Sequence, residues 1–194
     1  MKVAVGILGG TFDPIHRGHL EAAASVAEQL GLSTILLVPT GDPWQKTAHA
    51  SREDRLAMTS LAAAEAEVFA VSRVDIDRPG PTYTLDTLRD LREQYPEADL
   101  FFIVGADALA GLPSWRSPEL LAEMATFVGV TRPGERFIDP DIAGLHVVRV
   151  DVPAVDVSST QIRSRVADGE PIDGLVPDVV ADYISSHRLY RESE

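Results

Sequence analysis

"VAVGILGGTFDPIHRGHL", residues 3 to 20, passes from a continuous apolar run through two adjacent glycines into a polar stretch with two histidines three apart. The run at 3–8 reads as a strand buried on both faces, the pattern of a parallel sheet. A helix is predicted from about 18 to 30, with Leu20, Ala23, Ala24, Ala27 and Leu30 on one side and Gly31 placed to end it. The same alternation repeats along the chain. Strand-like runs recur at 35–38, 68–71, 101–104, 127–130 and 146–150. Between them, Ser51 opens a second helix with Asp54 three positions on, and Leu56 and Leu61 continue it. Leu85, Leu88, Leu91 and Tyr95 mark a third, stopped by Pro96. Ser117-Pro118-Glu119 supplies a cap, a first-turn proline and an acid suited to the helix dipole for a fourth. Ser158 or Ser159 caps a fifth, and Pro177 begins a sixth with Val180, Tyr183 and Ile184 on its apolar side. Such alternation predicts an α/β fold, a doubly wound, mostly parallel sheet with right-handed crossovers and helices on both faces. Ligands of these sheets bind beyond the carboxyl ends of the strands, where residues 9–20 fall.

The chain as a whole limits what such a site can serve. Its 194 residues suit one well-buried domain, expected to span 1–194, and no repeat, linker or low-complexity tract divides them. The apolar content of 45% is ordinary for a globular protein. No apolar run approaches the roughly 18 residues that span a bilayer, and the first residues do not resemble a signal peptide. No membrane partner and a cytoplasmic location are therefore expected. The absence of cysteine excludes disulfides and thiolate zinc sites. A net charge of −13 opposes a broad nucleic-acid-binding face, so no nucleic-acid partner is expected, while a small phosphorylated ligand in a local pocket fits. A homo-oligomer is left open, because helix faces exposed in a monomer and buried in a dimer share one periodicity.

Within the opening stretch, Gly9 and Gly10 let backbone approach a ligand closely, and the helix start near Gly18 presents free amide hydrogens and a partial positive charge. His16 and His19 on one helical turn point the same way. Each can donate to a phosphate oxygen and, if protonated, offset charge that develops in a reaction. Two other readings stay open on these residues alone: a plain strand-to-helix turn with a capping aspartate and solvent-exposed imidazoles, or a His-x-x-His metal site, which lacks an evident third ligand. The spacing departs from the G-x-G-x-x-G dinucleotide fingerprint.

Taken together, 9–19 (Gly-Gly-Thr-Phe-Asp-Pro-Ile-His-Arg-Gly-His) resembles the nucleotide-binding signature of nucleotidyltransferases related to class I aminoacyl-tRNA synthetases. The stretch 157–163, Val-Ser-Ser-Thr-Gln-Ile-Arg, is similar to that superfamily's distal motif, with valine for the first isoleucine. "PTYTLDTL" at 81–88, "VGADAL" at 104–109, "LPSW" at 112–115 and "GLVPDVVADYI" at 174–184 extend the resemblance, over nearly the whole chain, to bacterial nicotinate-nucleotide adenylyltransferases. That resemblance implies a Rossmann-like nucleotidyltransferase fold. It also implies transfer of AMP from ATP to nicotinate mononucleotide, giving deamido-NAD and pyrophosphate in NAD biosynthesis. Magnesium would be carried on the ATP phosphates, with no protein ligand to name.

The resemblance also assigns residues. Direct in-line attack on the α-phosphorus needs positioning and charge stabilisation rather than a covalent nucleophile. His19 would contact the α-phosphate and His16 the phosphates nearby. Arg163, with the amides of Ser159 and Thr160, would hold the leaving pyrophosphate. Gly9, Gly10, Thr11, Phe12 and Gly18 would shape the rest of the ATP site, and Gly105 and Asp107 would meet the adenosine ribose. On the mononucleotide side Trp115 would stack on the pyridine ring, Thr84 would face its carboxylate, and Lys46 and Arg132 would contact phosphate. Each assignment has a plainer counterpart: an exposed helix arginine for Arg163, helix caps for Asp107 and Thr84, a buried loop anchor for Trp115, a solvated lysine for Lys46. Trp44-Gln45 departs from the proline and histidine of many relatives. Pantetheine-phosphate adenylyltransferase, nicotinamide-mononucleotide adenylyltransferase and a non-catalytic ATP-sensing module are the rival functions. "YTLDTL", Trp115 and the paired serines oppose the first, and retention of both histidines opposes the last.

Overall fold

The structure, a computed structural model, describes residues 3–43, 47–132, 134 and 136–191. Six strands of these residues form one sheet: β1 (Ala4–Gly10), β2 (Thr34–Pro39), β3 (Phe69–Val71), β4 (Asp99–Gly105), β5 (Thr126–Thr131) and β6 (Val147–Asp151). They are ordered β3-β2-β1-β4-β5-β6, and every neighbouring pair is parallel. This is the doubly wound order whose direction reverses between β1 and β4, the point at which such sheets take ligands.

Among the described residues eight α-helices connect and cover the strands: α1 (Arg17–Leu30), α2 (Arg52–Ala63), α3 (Val74–Asp77), α4 (Thr84–Gln94), α5 (Ala106–Ala110), α6 (Pro118–Met124), α7 (Ser159–Ala167) and α8 (Asp178–Ser186). Side-chain alternation sends neighbouring strand residues to opposite cores. Ile35 and Leu37 pack with Ala23 and Val26 of α1, Met58 of α2 and Ile184 of α8. Leu36, Val38, Val5 and Ile7 pack on the other face with Leu85, Leu88 and Leu91 of α4 and Leu121 of α6. Both faces are thus apolar, which is why the strands read as continuous apolar runs.

Three of the predicted helix ends follow the expected chemistry. Gly31 closes α1 in the left-handed conformation (φ 63°), and its N–H bonds back into the last turn. Ser51 and Ser158 cap α2 and α7 by accepting from the amides of Asp54 and Gln161. Ser117 does precede α6, but its backbone is left-handed (φ 51°) and its side chain caps nothing. A capping residue ordinarily holds an extended backbone, and the left-handed conformation of Ser117 departs from it. The short helices α3 and α5 and a 3-10 turn at Leu112–Ser114 have no counterpart in the sequence periodicity.

Candidate active site

A cleft of about 930 Å³ opens beyond the carboxyl ends of β1 and β4. Its floor is the turn between β1 and α1. Phe12 is 2% exposed and holds a left-handed backbone (φ 49°), an uncommon state for a bulky residue and one that cores stabilise only by over-determining it. The Asp13–Pro14 peptide is cis. His16 is then the N-cap of α1, in extended conformation. Asp13 is therefore no cap: its carboxylate accepts from the His49 and Ala50 amides at 2.6 and 3.1 Å and from the Tyr190 hydroxyl at 2.7 Å.

The two histidines sit as a stacked pair, ring centroids 3.6 Å apart. The His16 amide donates to Nδ1 of His19 at 3.3 Å, which leaves the proton of a neutral His19 on Nε2 as a donor. His16 is buried, and its Nδ1 has no hydrogen-bond partner among the described residues. Burial, reinforced by the positive charge of Arg132, lowers its pKa to about 4. His16 is thus a neutral donor or acceptor at physiological pH, which sets aside the alternative reading of solvent-exposed imidazoles for this residue. Gly18 keeps this pair in place by absence: a Cβ there would lie 3.0 Å from Val157 and 3.2 Å from the His16 ring.

Val157 belongs to the distal motif, which the fold brings onto the same turn. Arg163 donates through Nη1 to the Asp13 carbonyl at 2.7 Å, and the Ser159 hydroxyl donates to the Pro14 carbonyl at 2.9 Å. A second Arg163 bond reaches the Thr160 hydroxyl at 3.2 Å. These contacts span 150 and 145 residues of sequence, so the two motifs form one wall. The amino end of α7 faces the cleft through Ser158, Ser159 and Thr160, an anion-favouring arrangement.

Gly9, Gly10, Thr11, Phe12, Gly18, Gly105 and Asp107 also line the cleft. Gly105 is the N-cap of α5, and Asp107 lies in its first turn rather than at its cap. Thr84 starts α4 one position after the N-cap Tyr83, so it too is no cap. Trp115 is half-buried: its ring meets Phe102 edge-on at 6.5 Å while still lining the cleft. Arg132 follows β5 and lines the cleft from that side. Lys46 and the departure at Trp44-Gln45 lie outside the described residues. Among the described residues no cluster of three or more His, Cys, Asp or Glu side chains is placed to hold a metal.

Several residues of this region gave no sequence signal of their role. Arg55, 1% exposed, reaches from α2 to donate to the carbonyls of Thr11 and Thr40 at 2.7 and 2.6 Å and of Gly41 at 3.0 Å. It joins the turn after β1 to the loop after β2. Asp75 accepts from Thr87 and Arg78, both at 2.7 Å, anchoring the first turn of α4, and burial pushes its carboxyl up. Arg116 lies over the Tyr83 ring at 4.9 Å and bonds Asp86 at 3.2 Å, forming the rim beside Trp115. Adjacency to Trp115 and to "YTLDTL" could have flagged Arg116 and Tyr83. Arg55 reads like any charged helix residue, and nothing local marks it.

A doubly wound sheet with paired histidines and a second helix start at its switch point defines a nucleotidyltransferase. The model of the cytidylyltransferase-like family matches residues 7–165, most of the chain. A Streptomyces coelicolor protein described as a probable nicotinate-nucleotide adenylyltransferase is 55% identical over 186 residues, covering 95% of this chain and 99% of its own. One from Leifsonia xyli subsp. xyli, with the same description, is 55% identical over 96% of this chain and 94% of its own. The chain belongs to the cytidylyltransferase-like family and, within it, to the nicotinate-nucleotide adenylyltransferases. The fold agrees with a solved nicotinic acid mononucleotide adenylyltransferase of Plasmodium falciparum in complex with NaAD. The match has a TM-score of 0.79 and 21% identity, and covers 97% of each chain. No helix of the described residues is long and apolar enough to cross a membrane.

Proposed function

We propose that this cleft transfers AMP from ATP to nicotinate mononucleotide, releasing pyrophosphate and forming deamido-NAD, with residues 1–194 acting as one domain. The observation that carries the proposal is the joining of the two phosphate-type motifs in one wall through Arg163 and Ser159. The sequence kinship with adenylyltransferases of that substrate supports the choice of acceptor.

In this reading a phosphate oxygen of the mononucleotide attacks the α-phosphorus in line as the bond to pyrophosphate breaks. No side chain becomes covalently linked. His19 donates through Nε2 to the α-phosphate, and His16, stacked on it, serves the neighbouring phosphates as a neutral imidazole. Phosphates beside the imidazoles would offset the positive charge of Arg132, which disfavours protonation of His16. Arg163 and the amides at the start of α7 take the negative charge that grows on pyrophosphate. Gly105 and Asp107 face the ribose. Thr84 and Trp115 receive the pyridine carboxylate and ring, and Lys46 and Arg132 its phosphate. Magnesium would be carried on the triphosphate itself, whose oxygens suit a hard cation. ATP and the mononucleotide are then the partners, and the reaction calls for neither nucleic acid nor membrane.

Turnover of the purified protein tests the proposal. Pyrophosphate and deamido-NAD should appear in equal amounts, and His19→Ala should be slower by roughly 10²–10³-fold, the range for one preorganised donor, with the fold intact. Pyrophosphate without the dinucleotide, or an unchanged rate in the variant, would remove the assigned chemistry.

A further inference from the structure

Asp13 is the meeting point of segments far apart in sequence. Its carboxylate, 3% exposed, is gripped by the amides of His49 and Ala50 and by the Tyr190 hydroxyl at 2.7 Å, from 177 residues away. Its carbonyl and that of Pro14 hold Arg163 and Ser159 on the other side. The direction in which Arg163 points thus depends on where the Asp13 peptide sits, and that peptide is set by what holds its carboxylate. The two amides come from the approach to α2. The remaining donor comes from the tail after α8.

That tail has an uncommon backbone and packs through Leu189 and Tyr190 on the core. Arg188 and Tyr190 both adopt left-handed backbone (φ 54° and 62°), although neither is glycine. The Leu189 amide turns back to the Ile184 carbonyl at 3.0 Å. Non-glycine residues hold this conformation only where surrounding contacts over-determine it. Here the contact at the tip is the Tyr190 hydroxyl on a buried carboxylate, a charge-assisted bond in a low-dielectric setting that also contains the Arg55 guanidinium.

We infer that Tyr190 is a positioning residue for the triphosphate side of the cleft, fixing through Asp13 the aim of Arg163 and Ser159. The inference rests on the ATP half of the function proposed above and not on the identity of the acceptor. The chain supplies its own control. Tyr183, on α8, donates its hydroxyl to Asp54 at 2.9 Å, the same kind of tyrosine–aspartate bond, and neither residue lines the cleft.

The test compares Tyr190→Phe with Tyr183→Phe in the full chain. MgATP binding is read by calorimetry, and both substrate constants are read by steady-state kinetics. Removing the Tyr190 hydroxyl should weaken MgATP binding and raise the ATP KM by about 10-fold, the lower end for a hydrogen bond to a charged group. The KM for nicotinate mononucleotide should stay at the wild-type value, and Tyr183→Phe should match wild type in all of these. Wild-type MgATP affinity in Tyr190→Phe, or equal weakening in both variants, would overturn the inference and leave the tail a purely structural clamp. If wild type fails to use nicotinate mononucleotide, the acceptor assignment falls, while MgATP calorimetry still decides the role of Tyr190.

Discussion

Replacing Arg55 by leucine should show how far the site depends on a single buried cation. The side chain is 1% exposed and donates to three main-chain carbonyls at 2.6 to 3.0 Å: Thr11 from the β1 turn, and Thr40 and Gly41 from the β2 loop. Burial pulls its pKa below the ordinary arginine value, opposed chiefly by the Asp13 charge, so it stays protonated beside a carboxylate that needs it. Leucine restores apolar volume but leaves three carbonyls without their donor and Asp13 without its neighbouring cation. Breaking one side of such an arrangement costs about 3–5 kcal/mol. Against a typical stability of about 5–15 kcal/mol, the variant stays folded but marginal. At this chain length the loss corresponds to a fall in Tm of about 10 °C. Urea unfolding followed by circular dichroism measures the difference. Arg55→Lys should lose less than Arg55→Leu, because it keeps the charge but not the rigid fork. A loss below about 1 kcal/mol in Arg55→Leu would refute the reasoning, since a single ordinary hydrogen bond is worth that much.

The buried His16 predicts a pH dependence of stability. Its pKa falls from 6.5 unfolded to about 4 folded, so the unfolded chain binds the extra proton between those values. Stability should therefore be fully present above about pH 6.5 and decline towards about pH 4, by up to about 3 kcal/mol from this residue. His16→Gln should flatten that part of the profile, and identical slopes in variant and wild type would show that the imidazole is not buried neutral. Trp115→Ala should raise the mononucleotide KM by roughly 10-fold or more, the range for losing one aromatic stacking partner, and leave the ATP KM alone. A change confined to ATP would reverse the assignment of the two halves of the cleft.

The strands among the described residues were legible because the inner ones, buried on both faces, are written as nearly unbroken apolar runs, while edge strand β6 keeps its valines around the exposed Arg149; the order of such runs and helices left few topologies. Helices of four and five residues, α3 and α5, are too short to show a period. Ser117 carried a cap signature, but its backbone is left-handed and its side chain caps nothing, a feature the Ser-Pro-Glu pattern does not encode. That the two motifs line one cleft could be anticipated because their glycines, histidines and Ser-Ser-Thr are local patterns. What joins them could not. Arg55, Asp13 and Tyr190 act across 44 and 177 residues through carbonyls and a carboxylate, and charged or aromatic residues on helices and tails read as surface until the fold brings them together. The neutral state of His16 depends likewise on burial and on Arg132, neither visible in His-x-x-His.

Acceptor choice tests the central claim most directly. With ATP and magnesium fixed, kcat/KM for pyrophosphate release should be highest with nicotinate mononucleotide, lower with nicotinamide mononucleotide, and absent with phosphopantetheine. A preference for either alternative acceptor, or ATP binding without turnover of any, would contradict the account.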